Sequence, residues 1–123
     1  MKKVYYNKLI RDNILQKIKS NNEDCDVREL GDEEFEQELL KKINEEANGL
    51  SRARSRGEFL DELADLDIVI DEIKSIQGIT PDEVLEAKKK NLDRKGGFSK
   101  KLFLNWSSDS DYKSNETPQG IKN

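Results

Sequence analysis

Hydrophobic side chains recur along this chain at helical intervals, not in the strict alternation of a strand. Between Asp32 and about Leu50, the residues Phe35, Leu39, Leu40, Ile43, Ala47 and Leu50 share one helical side. From Glu58 to about Ile76, Phe59, Leu63, Leu66, Val69, Ile70 and Ile73 form a stripe that Leu60 and Ile68 widen. A stripe that broad predicts a helix set between neighbours. The arginine- and serine-rich stretch Ser51–Gly57 separates the two helices, which read as an antiparallel pair.

Local signals place the ends. Asp32 reads as an N-cap, with Glu33, Glu34 and Glu36 favouring the positive end of the helix dipole. Gly78 suits a helix stop. Thr80-Pro81-Asp82-Glu83 is a helix start with a capping box and proline at the first helical position. That helix runs through Val84, Leu85 and Ala87 into Lys88-Lys89-Lys90 and ends at Gly96-Gly97. At the other end, Leu9, Ile10, Ile14, Leu15 and Ile18 predict a short helix between Tyr6 and Ile18. A polar loop follows over residues 20–31, with Val27–Leu30 possible as an extended stretch. Phe98, Leu102, Phe103, Leu104 and Trp106 make a short apolar segment. The expected organisation is one all-α domain over residues 1–106 and a disordered tail over 107–123. A chain of 123 residues with two apolar helix faces has little interior in which to bury them. The expected architecture is therefore a four-helix bundle completed by oligomerisation, as a homodimer or homotetramer.

Composition narrows the chemistry. Charged residues make up 39% of the chain and hydrophobic ones 33%, and the net charge is −4. This acidic balance argues against a nucleic-acid polymer as partner. No apolar run is long enough to cross a membrane, and the first residues lack a signal-peptide core, so a cytoplasmic location is expected. The single cysteine, Cys25, excludes an intrachain disulfide. With no histidine, imidazole–metal sites and nucleophile–histidine pairs are excluded. Acid–base or metal chemistry must run on carboxylates, lysine, tyrosine or cysteine.

Most acidic side chains belong to solvated helix surface, but a few fall inside the apolar arcs. At 100° per residue, Glu46 projects between Phe35 and Leu39, whereas Glu45 points toward water. On the next long helix Glu62 projects among Leu66, Val69 and Ile73, with Asp65 one turn on at the margin. Carboxylates facing a core require pairing or a cation. Three oxygens from Glu46, Glu62 and Asp65, completed by water, suit Mg²⁺, with Mn²⁺ as a substitute. The competing reading is that Lys42, Arg52, Arg54 or Arg56 neutralises these acids, leaving a helical protein-interaction module.

Several short motifs, taken in order, resemble a known family. Tyr6-Asn7-Lys8-Leu9-Ile10-Arg11-Asp12 is similar to an N-terminal K-L-(I/V)-R-D signature. Leu39 to Ala47, with Glu45-Glu46, resembles a first metal-binding helix, and Glu62-Leu63-Ala64-Asp65 an E-x-x-D motif. Gly96-Gly97-Phe98 resembles an R-G-G-F element. Over residues 4–105 the chain thus resembles MazG-like nucleotide pyrophosphohydrolases of the all-α NTP pyrophosphatase superfamily. Within these, it is most similar to the phosphoribosyl-ATP pyrophosphohydrolase-like branch.

The resemblance implies a Mg²⁺-dependent hydrolase that cleaves a nucleoside triphosphate between the α and β phosphates, releasing a monophosphate and pyrophosphate. It implies Glu46, Glu62 and Asp65 as metal ligands and Glu45 as the residue that orients or deprotonates water. It implies Lys8, Arg11, Lys90, Arg94 and Lys95 as contacts to the nucleotide's phosphates. Two positions depart from the family pattern. Gly49 stands where E-E-x-x-E ends in a ligand, and Lys95 stands where arginine precedes Gly-Gly, losing the bidentate fork. Gly49 leaves open a catalytically weak or inactive nucleotide-binding relative, and implies that Gly49→Glu tightens metal binding.

Overall fold

The computed structural model describes residues 2–108. They form four helices, α1 (Ile14–Ser20), α2 (Asp32–Ser51), α3 (Arg56–Gln77) and α4 (Pro81–Lys95). Among the described residues there is no strand, and the fold is all-α. The chain divides into two units between Ala87 and Lys88, inside α4.

In the first unit α2 and α3 pack against each other as an antiparallel hairpin. At one end Gln77 Nε2 donates to Glu36 Oε1 across the pair at 3.0 Å. At the other, only residues 52–55 join the helices. Leu39 on α2 and Val69 on α3 are the buried centre, at 6% and 7% exposure. Phe35, Ile43, Leu50, Leu63, Leu66, Ile70 and Ile73 are half-buried around them. The breadth of the α3 stripe is not covered within the chain. Phe59, Leu60 and Ile68 are exposed, as is Leu40 on α2, because two helices in contact enclose only the arc that faces the partner.

The caps explain where the helices stop and start. α3 begins two residues earlier than the apolar pattern indicates, because Ser55 caps it: its Oγ accepts from Glu58 N–H at 3.1 Å. The Glu58 carboxylate reaches back to Arg54 N–H at 2.8 Å. Gly78 ends α3 in the left-handed conformation (φ +66°), and Ile79 N–H donates back to Lys74 O at 2.9 Å. These bonds satisfy carbonyls that a helix end leaves free. Thr80 Oγ accepts from Glu83 N–H at 3.2 Å, as the capping sequence predicts. α2 differs, since Gly31 occupies the N-cap and Asp32 is the first helical residue. Asp32 still acts through the dipole, together with Glu33 and Glu34.

The N-terminal segment is the main difference from the sequence reading. The helix expected from Tyr6 onward is confined to Ile14–Ser20, and residues 2–13 run without regular structure. Asn7 sits at φ +49°, a conformation asparagine tolerates better than most residues and one that interrupts a helix. Leu9, Ile14, Leu15 and Ile18 are nevertheless half-buried, so the apolar spacing marks side chains partly withdrawn from solvent in a strap and a short helix. The loop after α1 is pinned by Arg28, whose guanidinium donates two bonds to Glu34, at 2.6 and 3.0 Å.

In the second unit, α4 ends at Lys95 and Gly96 turns the chain at φ +76°. Phe98, Leu102, Phe103, Leu104 and Trp106 are all strongly exposed. Of the expected disordered tail, residues 109–123 lie outside the described residues.

Removing the Ser55 cap with Ser55→Ala is expected to lower unfolding stability by about 1 kcal/mol. Leu39→Ala, which opens a cavity at the α2–α3 seam, is expected to cost about 2–3 kcal/mol. Urea unfolding followed by far-UV circular dichroism measures both.

Candidate metal centre

The hairpin brings the last turns of α2 against the first turns of α3. Glu46 lies five residues before the end of α2, and Glu62 lies six residues into α3. Asp65 follows Glu62 by three residues, the spacing that stacks two side chains on one helix face. The result is a cluster in which one oxygen each from Glu46, Glu62 and Asp65 lie within 4.8 Å of one another. All three residues are half-buried.

This arrangement is electrostatically uncomfortable. Burial pushes the Glu46 carboxyl above its ordinary pKa, and the neighbouring charges of Asp65, Glu62 and Glu45 push the same way. Lys42 opposes the shift without overcoming it. Among the described residues no lysine or arginine forms an ion pair with Glu46 or Glu62. The arginines of the α2–α3 connection therefore do not neutralise the seam, and the one guanidinium that reaches it is Arg11, 3.5 Å from Asp65.

The donor set fits a hard divalent cation. Carboxylate oxygens are the ligand type that Mg²⁺ and Mn²⁺ take, and Glu46, Glu62 and Asp65 would be the residues to hold such an ion. A bound cation would also remove the mutual repulsion that raises the Glu46 pKa.

The strap of residues 2–13 places two of the expected phosphate-binding cations beside this cluster. Lys8 Nζ donates to Glu45 Oε1 at 2.7 Å and lies 5.9 Å from the centre of the Tyr6 ring. Three residues on, Arg11 reaches Asp65 of α3. One short segment thus spans both helices at the acidic end of the hairpin. Glu45 is exposed, as its angle on α2 predicts, and Lys42 approaches it as well, at 3.2 Å. The hydrogen bond from Lys8, aided by Lys42, holds the Glu45 carboxyl below its ordinary pKa. Lys90, Arg94 and Lys95 occupy the C-terminal half of α4 in the second unit, and all are exposed.

Gly49 has a neighbour that sequence reasoning did not foresee. A β-carbon at this position would fall 2.5 Å from Glu62 Oε2, 2.8 Å from its Cδ and 3.2 Å from Oε1. The expectation that Gly49→Glu adds a ligand meets an obstacle here, because the new side chain would begin where the Glu62 carboxylate already lies. The residue type gave no hint of this contact, which depends on how closely the two helices approach.

No family model matches the chain, and no curated protein or solved structure matches it either.

The two shifted glutamates predict opposite pH behaviour. Glu46 binds its proton more tightly in the folded than in the unfolded protein, so its ionisation costs stability as pH rises past the ordinary carboxyl value. Metal-free Glu46→Gln is therefore expected to melt at a higher temperature than wild type at pH 7, with the difference closing below pH ~4. Glu45 is the reverse case, contributing stability above the ordinary carboxyl pKa that is lost as pH falls through its lower folded value. Thermal unfolding from pH 3 to 8 in the presence of EDTA checks both signs.

Proposed function

We propose that the protein is a divalent-cation-dependent nucleotide pyrophosphohydrolase of the MazG-like type, acting between the α and β phosphates of a nucleoside triphosphate. The observation that carries this reading is the convergence of Glu46, Glu62 and Asp65 without a pairing cation on Glu46 or Glu62. Its position on the helices coincides with the motifs that resemble the family's ligand set.

In this reading Glu46, Glu62 and Asp65 hold Mg²⁺, or Mn²⁺ in its place. The bound ion supplies phosphate charge neutralisation and an acidified water. Lys8 and Arg11 are the protein's contribution to phosphate binding, already ordered at the rim through Glu45 and Asp65. Transfer of Lys8 from Glu45 to a substrate phosphate removes the bond that does most to depress the Glu45 pKa. Glu45 thereby gains proton affinity when substrate is present, as a general base requires. Lys90, Arg94 and Lys95 are the further phosphate contacts proposed from the resemblance, and the setting is cytoplasmic.

The exposed Leu40, Phe59, Leu60 and Ile68 support a second copy of the chain completing a four-helix bundle, as a homodimer or homotetramer. A second functional reading, a nucleotide binder with little or no turnover, is favoured by one observation: the position of a fourth carboxylate is held by Gly49.

Incubation with a panel of NTPs, dNTPs and phosphoribosyl-ATP plus Mg²⁺, with pyrophosphate release as readout, is expected to show turnover. Glu62→Ala is expected to reduce it by at least the ~10–100-fold that loss of an outer-shell partner alone costs a metal site. Nucleotide binding by calorimetry without pyrophosphate release would establish the binder instead. Absence of both metal and nucleotide binding would leave a helical interaction module.

A further inference from the structure

Gly49 lies in the last turns of α2, a place where glycine disfavours the helix. Gly78 and Gly96 have a backbone reason to be glycine, with φ of +66° and +76°. Gly49 has none, since it is helical and not among the residues at positive φ. What distinguishes it is the space beside its α-carbon. Gly31 and Gly97 have nothing within 4 Å of a built β-carbon, and Gly57 has only Ser55 Oγ at 3.9 Å. At Gly49 the three nearest atoms all belong to the Glu62 carboxyl group, two of them closer than 3.0 Å, a separation that real β-carbons do not show.

We propose that Gly49 is a positioning residue for Glu62: the missing side chain opens the place in which the Glu62 carboxylate rests against α2, and side-chain size at position 49 sets where that oxygen pair stands relative to Glu46 and Asp65. Its consequence for metal binding rests on the cation reading of the cluster, whereas the steric coupling of residues 49 and 62 does not. A methyl group at 49 must displace the carboxylate by roughly 1 Å to reach ordinary contact, a displacement large enough to spoil a constellation of ligands. Because the atoms to be moved are the end of a flexible side chain, the backbone has no need to yield. The same geometry makes a carboxylate at 49 an alternative to the present placement of Glu62 and not a simple addition to it.

The test is a double-mutant cycle of Gly49→Ala and Glu62→Ala, read in two independent ways. Without metal, Gly49→Ala is expected to raise the melting temperature more in the Glu62→Ala background than in wild type, since only there does the gain in helix propensity come free of the clash. An additive cycle overturns the proposal. With Mn²⁺ followed by electron paramagnetic resonance, Gly49→Ala is expected to weaken binding about tenfold, within the range by which support residues affect metal sites. It is expected to change nothing further once Glu62 is alanine. A purely structural role would move affinity and melting temperature together, whereas this one moves them in opposite directions. Unchanged Mn²⁺ affinity in Gly49→Ala, where Glu62→Ala weakens it, also overturns the proposal. If wild type binds no Mn²⁺, the hydrolase reading fails, and the metal-free cycle alone decides the role of Gly49.

Discussion

Three carboxylates are brought together where α2 meets α3, and that crowding follows from the packing of the hairpin itself. Packing the two apolar stripes requires the hairpin to close, and closing it carries Glu46 inward with Leu39 and Ile43, and Glu62 and Asp65 inward with Leu66 and Val69. The same contact that buries hydrophobic surface therefore concentrates negative charge. Pairing the acids or turning them outward would relieve that repulsion. Among the described residues the connecting arginines form no ion pair with these acids, and Arg11 of the strap reaches only Asp65.

The N-terminal strap is a partial answer to the same field. Lys8 and Arg11 approach the cluster from outside and engage one acidic group on each helix, while among the described residues Glu46 and Glu62 have no ion pair. Both contacts are substantially exposed, where ion pairs contribute little to stability. What they do is hold positive charge at the rim of the acidic cluster, in contacts that remain open to solvent.

Much of this architecture was legible from spacing and caps. The long helices, the Gly78 stop and the Thr80-Pro81 start all follow from local rules, and the angular position of Glu46 within the apolar arc was enough to single it out. What periodicity does not encode is contact between distant segments. Leu9 and Ile10 continue the rhythm of α1, so residues 6–13 resemble a helix, yet Asn7 takes a left-handed backbone and the segment serves as a strap. The partners of Lys8 and Arg11 depend on that path and leave no periodic trace. Gly49 is illegible for a related reason: a glycine in a helix registers only as a weak spot until the approach of the neighbouring helix shows what fills the gap.

The short link over residues 52–55 has a kinetic side. Glu46, Gly49, Glu62 and Asp65 all belong to one helical hairpin, so the cluster is built from contacts of small sequence separation. Topologies of that kind close quickly because little loop entropy is lost before the contacts form. The acidic cluster is thus complete within the hairpin and requires no contact from the remainder of the chain.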